Sequence, residues 1–403
     1  MGKSERTDIL VAGTGPAGLM AALAFADAGF AVHLVGPAVR TDDARTTALM
    51  APSLRFLTEI GIAQHLIAEG APLRTMQIVD ATRRLVRSRP VRFSANEIGE
   101  EAFGYNIPNT VLHRELEAAV KDRSAISWTQ GFVERWHISQ DGIAAETDRQ
   151  VRIEAQLAVA ADGRNSSARE ATGITVFRRS LPQAALVLNF SHEADHQFVS
   201  TEFHTETGPF TQVPLPGRRS SLVWVLSPQT AEAHAALPDE RLSRLIEEQM
   251  QSMLGRVTVE GPCQVYPLTS ALPATFARNR IALVGEAAHV FPPIGAQGLN
   301  LGIRDIKDLV TVCSARREDP GADRALADYS RRRRPDILAR SGAVNALNAS
   351  LLSDFLPAQL ARSIGLEALS ALAPLRGFFM REGLQPGSGF AHALSRGREQ
   401  VRR

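Results

Sequence analysis

The chain has 403 residues, 45 Lys plus Arg against 43 Asp plus Glu, and a formal net charge of +2. That length suits two interlocked domains with a sizeable core, and the near-neutral balance argues against nucleic acid as a main ligand. Cys263 and Cys313 are the only cysteines and lie outside any C-x-x-C pair. Neither a metal site nor a disulfide framework is therefore expected, and a reducing compartment fits. The apolar run 9–32 contains four glycines, Pro16 and Asp27, which speaks against a signal peptide or a membrane span.

In chain order, that run reads as a strand over Ile9 to Ala12, a small-residue helix over Ala17 to Ala28 and a second strand over Val32 to Val35. The turn between the first two is Gly13-Thr14-Gly15-Pro16-Ala17-Gly18, a G-x-G-x-x-G. Gly13 permits the tight turn, Gly15 lets a pyrophosphate approach the backbone, and Gly18 lets helix and sheet pack closely. The helix start then offers free N–H groups and a partial positive charge to an anion. An acidic residue is expected at the end of the second strand for the adenosine ribose, and Gly36 stands there instead. Arg45 follows nearby, and two readings stay open for it: a contact with the cofactor's phosphates or sugar chain, or a solvated loop arginine.

Further on, Leu157 to Ala161 reads as a buried strand that ends in Asp162-Gly163, with Ser166 placed to cap the next helix. By itself Asp-Gly is a turn signal. A third stretch, Gly285-Glu286-Ala287-Ala288-His289 followed by Pro293, Gly295, Gly298, Asn300, Gly302 and Asp305, again lies between an apolar strand and a helix. Its glycine spacing points to a backbone that a ligand approaches closely. Outside these motifs, residues 176–230 alternate or run apolar between turn signals and read as a mostly antiparallel sheet. Pro335 is expected to break or kink a helical segment, and Arg331 to Arg334 to form a solvated face.

Together, in this order, the three motifs resemble the class A flavoprotein monooxygenases, the single-component aromatic hydroxylases that bind FAD. Within them, "RTTALM", "PLPGRRSSLVW" and "PIGAQGLNLGIRD" look most like the ubiquinone-biosynthesis hydroxylases of the UbiH/UbiF type. The resemblance implies an α/β fold like that of p-hydroxybenzoate hydroxylase: a Rossmann-type FAD-binding domain interleaved with a mostly antiparallel-sheet substrate domain and a C-terminal helical segment. On this chain the FAD-binding parts are expected at 1–73, 100–175 and 273–325, the substrate parts at 74–99 and 176–272, and the helices at 326–403.

The resemblance also carries roles. Gly13, Gly15, Pro16, Ala17, Gly18, Arg45, Arg114, Asp162, Gly163, Gly285, Glu286, Gly295, Gly298, Leu299 and Asn300 would contact FAD. Glu286, where the family most often has Asp, would bond a ribityl hydroxyl. Pro293 would lie beside the isoalloxazine, and Gly298 and Asn300 would help stabilise the reduced ring. Arg169 would hold the Asp162 turn, Asp305 the Gly285 loop, and His289 is read as structural rather than as a base. Phe203, Phe210, Pro214, Leu215 and Trp224 are candidates for a substrate wall, with membership of the core as the competing reading.

The expected activity is hydroxylation of a phenolic ring with NAD(P)H and O2 through a flavin hydroperoxide, on a polyprenyl phenol of ubiquinone biosynthesis. No second strand-GxGxxG-helix unit follows residue 40, so NAD(P)H is expected as a transient reductant at the one flavin domain. The alternatives are a same-fold flavoenzyme acting on another aromatic or polyprenyl substrate, and a flavin-binding scaffold subunit. The expected setting is cytoplasmic, with a peripheral contact to the membrane's inner face or to a biosynthetic complex as an option, and with no metal.

Overall fold

Ile9–Ala12 is a fully buried apolar strand at the heart of a six-stranded sheet. The computed structural model describes residues 4–82, 89–292, 297–352, 365, 367–369, 371–385 and 388–389. From one edge the sheet runs Ala277–Arg278, Ile281–Leu283, Leu157–Ala160, Ile9–Ala12, Val32–Gly36 and Ile126–Gln130. All neighbours are parallel except the edge hairpin. Such a sheet must be covered on both faces, which explains its continuous apolar strands. The helix Pro16–Asp27 covers one face with Leu19, Met20, Ala21, Ala22 and Leu23, all at 0% exposure. Its small residues let it pack between the sheet and the helices Asn109–Asp122 and Gln297–Ser314.

The second large unit is a seven-stranded sheet in the order Val257–Pro273, Val176–His192, Arg219–Leu226, Pro209–Leu215, Val199–His204, Thr75–Asp80 and Val91–Ser94. It is antiparallel except where Val199–His204 runs parallel to Thr75–Asp80. One face is dry: Leu186, Phe203, Phe210 and Trp224 pack with Leu242 and Ile246 of the helix Asp239–Gln249. The opposite face bonds the flavin-sheet side of the molecule. Asn189 Nδ2 donates to the Ala44 carbonyl at 2.8 Å, and Thr46 Oγ1 donates to Ser221 Oγ at 2.9 Å.

The helix Asp323–Leu352 continues through Pro335, so the expected break is absent. Nor is the arginine run a uniformly solvated face. Arg333 is buried at 2%, and its guanidinium reaches Asp305 at 2.8 Å, Asp308 at 2.9 Å and Asp336 at 3.0 Å. Burial alone would lower the Arg333 pKa, but the three carboxylates outweigh it and raise it above the ordinary arginine value. Of the apolar stretch 356–384, residues 356–364, 366 and 370 lie outside the described residues. Its described helix, Ala373–Leu384, packs Met380 against Ala95 and Phe103.

Arg333→Ala leaves a buried carboxylate without its cation, so a loss of about 3–5 kcal/mol is expected. A urea melt at constant m-value reads that loss; a change below about 1 kcal/mol would mean the carboxylates are neutralised some other way.

Candidate cofactor site and substrate cleft

At the C-terminal ends of the parallel strands lies a cavity of about 360 Å³. Its walls include Gly13, Thr14, Gly15, Gly36, Pro37, Phe132, Asp162 and Gly163. This is the strand-end crevice where doubly wound sheets bind ligands. Glycine is demanded at its floor. A Cβ on Gly13, whose φ is +111°, would stand 2.3 Å from the Ala161 carbonyl oxygen, and one on Gly18 1.9 Å from that of Gly13. A Cβ on Gly15 would meet nothing within 4 Å, so its backbone faces open space. Gly15 is also the N-cap of Pro16–Asp27 and gives no side-chain cap, leaving the first N–H groups for an anion.

Asp162 bonds Ala168 N and Ser167 Oγ through Oδ2, while its buried Oδ1 has no partner. A buried, unpaired carboxylate oxygen beside an open cradle fits a hydroxyl-bearing ligand that donates to it. Ser166 caps the following helix, accepting from Arg169 N at 3.0 Å. Arg169 in turn joins two turns, donating to the Ala287 carbonyl at 2.7 Å and the Arg164 carbonyl at 2.9 Å.

Gly36 has a steric reason. A Cβ there would lie 2.6 Å from Thr14 Cγ2 and 2.8 Å from Thr14 N. With Thr14 in the glycine turn, and its hydroxyl bonded to the Pro37 carbonyl at 2.7 Å, no acidic side chain can occupy the strand end. The missing ribose carboxylate is therefore a built feature of this chain.

At the other end, Asp305 holds the Gly285 turn. It is fully buried and accepts from Gly285 N at 3.0 Å, His289 Nε2 at 2.7 Å and Arg333 Nε at 2.8 Å. His289 is thereby engaged structurally. Gly302 lets its helix approach closely: a Cβ there would stand 3.2 Å from Gly285 Cα. Glu286 is half-exposed and pairs with Arg164 at 3.3 Å. Arg45 is clamped by Asp43 at 2.7 Å and lies 5.4 Å from the Tyr266 ring centre. Burial alone would raise the Asp43 carboxyl, but Arg45 and Asn109 bring it down to about 2.

The Asn300 side chain is turned to the protein rather than outward. Its Oδ1 accepts from Met50 N at 2.9 Å and Ser53 Oγ at 2.7 Å, and its Nδ2 donates to the Ala48 carbonyl at 2.8 Å. The side chain fastens the helix Gln297–Ser314 to the strand Thr46–Met50 and so positions, rather than reacts. Beside it Leu299 is partly buried, and a Cβ on Gly298 would meet nothing within 4 Å. Pro293 and Gly295 lie outside the described residues. Arg114 is also placed differently from the expectation. It is half-exposed, bonded to Glu69 and Glu115, and is not among the cavity walls.

The FAD binding domain family matches residues 6–339, most of the chain. The ubiquinone hydroxylase UbiL of Rhodospirillum rubrum is 31% identical over 94% of this chain and 89% of its own length. The 3-demethoxyubiquinol 3-hydroxylase of Escherichia coli is 28% identical over 93% of this chain and 97% of its own. The fold matches p-nitrophenol 4-monooxygenase PnpA of Pseudomonas putida with a TM-score of 0.77 at 18% identity, covering 96% of this chain and 98% of that one. The chain belongs to the FAD-binding monooxygenase family. Its cofactor is FAD, with NAD(P)H as reductant.

In this monooxygenase the aromatic wall candidates are core, not wall. Trp224 lies 5.0 Å from the His234 ring on the helix Pro228–Ala235, Phe210 5.1 Å from Trp224, and Phe203 5.7 Å from Phe210. All three share the helix-packed face, and alternation puts Pro214 there as well. Leu215 is buried at the strand's end with the opposite parity.

The face turned to the flavin-sheet side carries a different row: Val187, Val223, Thr211, Glu202 and Ile78, paired across five strands. These residues are only partly buried. Within the row, Glu202 accepts from His204 Nε2 at 2.9 Å, and the buried His204 Nδ1 has no partner. Nothing in the sequence distinguishes the two faces, since both alternate apolar and polar residues.

For the cradle, Gly13→Ala is expected to yield protein that purifies with little or no flavin, because the new methyl meets backbone rather than a yielding side chain. Flavin content per chain from the visible spectrum checks this; a fully loaded variant would move the phosphate site elsewhere.

Proposed function

We propose that this monooxygenase hydroxylates the ring of an apolar phenol, a polyprenyl phenol of ubiquinone biosynthesis. The observation that carries the reading is the row on the side of the seven-stranded sheet that bonds Ala44 and Thr46. Val187 and Val223, packed on Ala185, Val225 and Leu268, join Ile78 in an apolar row, and the Glu202–His204 pair adds a charged feature to it. A phenol needs such a wall: apolar contact for ring and tail, and one acceptor for the hydroxyl. The names of the two ubiquinone-pathway relatives support the substrate class.

When bound, FAD supplies the redox chemistry, reduced by NAD(P)H and passing one oxygen atom of O2 to the ring. The residues present orient and insulate. The N-terminal turns of Pro16–Asp27 and Gln297–Ser314 present partial positive charge, the first to phosphates and the second to the reduced ring. Gly298 and Leu299 would border that ring. Asn300 and Asp305 fix the frame from behind. Glu202 accepts the phenolic hydrogen bond, which makes the ring a better nucleophile. Its Nε2–H partner, His204, holds the carboxylate in place.

No described helix is long and apolar enough to cross a membrane. Peripheral contact with a membrane is supported by Leu372 and Phe379, exposed at 54% and 53% at the described C-terminal helix.

The test is NAD(P)H oxidation by the flavin-loaded protein with 2-polyprenylphenols and with 4-hydroxybenzoate under isotopically labelled O2. Label in the polyprenyl product is expected. Oxidation without label in any phenol would replace hydroxylation with another flavin chemistry. In the same assay, Glu202→Gln is expected to lower kcat about a hundredfold with FAD affinity unchanged. An unaltered kcat would remove Glu202 from the reaction.

A further inference from the structure

The cavity at the strand ends holds one aromatic side chain, Phe132, and it is 61% exposed. Packing does not account for it. A large apolar side chain left in water forgoes the stabilisation of burial, and here it stands at the rim of a ligand cradle. Its neighbours in the wall are Gly36, Pro37, Gly131 and Val133.

The backbone under Phe132 is tied down. Phe132 N donates to Asp148 Oδ1 at 3.0 Å, and its carbonyl accepts from Asp148 N at 3.0 Å. Gly131 N donates to the Gly36 carbonyl at 3.3 Å, and Trp128 Nε1 bonds the same oxygen at 3.1 Å. The exposed ring is thus carried on a turn locked to the end of Val32–Gly36. From the Gly13 turn, two strand spacings lead to it, about 10 Å at ordinary sheet geometry, roughly one nucleoside's reach. Among the described residues lining the cavity, Asp162 alone is charged, and it lies on the other side of the glycine turn. The strand end that would hold a ribose-binding acid is Gly36, closed to any side chain by Thr14.

We propose that Phe132 is the adenine platform of this site. The base lies flat on the ring, and stacking takes the place of the ribose–carboxylate bond that Thr14 and Gly36 exclude. Stacking of a base on an aromatic ring is tolerant of the base's edge and indifferent to its sugar hydroxyls. The site therefore recognises the adenosine half of FAD by its flat face, and the phosphates by backbone N–H groups. This rests on FAD being the cofactor.

The test is equilibrium binding of FAD to the deflavinated full-length protein, followed by quenching of flavin fluorescence, for the native chain, Phe132→Ala and Phe132→Trp. Because Phe132 is mostly exposed and belongs to no core cluster, the thermal midpoint of the deflavinated variants should stay near that of the native chain and report intact folding. Phe132→Ala is expected to weaken FAD binding about tenfold, and Phe132→Trp to retain native affinity. An alanine variant within about twofold of native, or a tryptophan variant as weak as alanine, would overturn the platform. A native chain that binds no FAD would instead strike the cofactor reading itself, so the two failures are separable.

Discussion

A carboxylate with no exposed surface, Asp305, is the point on which the flavin end of the molecule turns. Burying an ion costs several kcal/mol unless partners replace its water. Asp305 meets that demand with a backbone N–H from the Gly285 turn, an imidazole N–H from His289 and the Arg333 guanidinium. The first two come from the one turn 285–289 and the third from the helix Asp323–Leu352. The interaction thus binds the turn to the helix Gln297–Ser314, and both to the helix Asp323–Leu352. Remove the arginine, and the same carboxylate becomes a liability at the centre of the site.

Around that ionic anchor, the cradle is made from backbone approaching backbone. Gly13 and Gly18 sit where a methyl group would collide with main-chain atoms, and Gly302 where it would press tightly on them, so the requirement leaves a mark in the sequence. This is why the cofactor could be read from three short motifs. Their glycines are spaced by the geometry of a strand, a turn and a helix, and few other folds ask for that spacing. The strand Ile9–Ala12 and the cap at Ser166 were legible for the same local reason.

What could not be read depends on contacts distant in sequence. Gly36 looked like a defect, and only the Thr14 methyl pressed against it shows otherwise. Arg333 sat in a run of four arginines, and no local signal marks the one that turns inward. The aromatic residues Phe203, Phe210 and Trp224 were attractive for a ring-binding wall. A strand's period of two states that alternate residues share a face but not which face meets helices and which meets a cleft. The helix Asp239–Gln249 decides that, and it lies beyond the strands in the chain.

The two halves of the site are consequently built under different rules. The cofactor half is held by main-chain contacts that admit few substitutions. The proposed substrate half is a row of side chains, Val187, Val223, Thr211, Glu202 and Ile78, on the face of the sheet opposite the one packed by the helix Asp239–Gln249. Thr211, Glu202 and Ile78 stand outside the buried clusters, whereas Val187 and Val223 pack against Ala185, Val225 and Leu268, so the first three can change with less effect on the core. Substrate choice can then diverge while the fold and the flavin site stay as they are. Family membership accordingly says more about FAD than about the phenol, and the identity of the substrate rests on this row and not on the motifs.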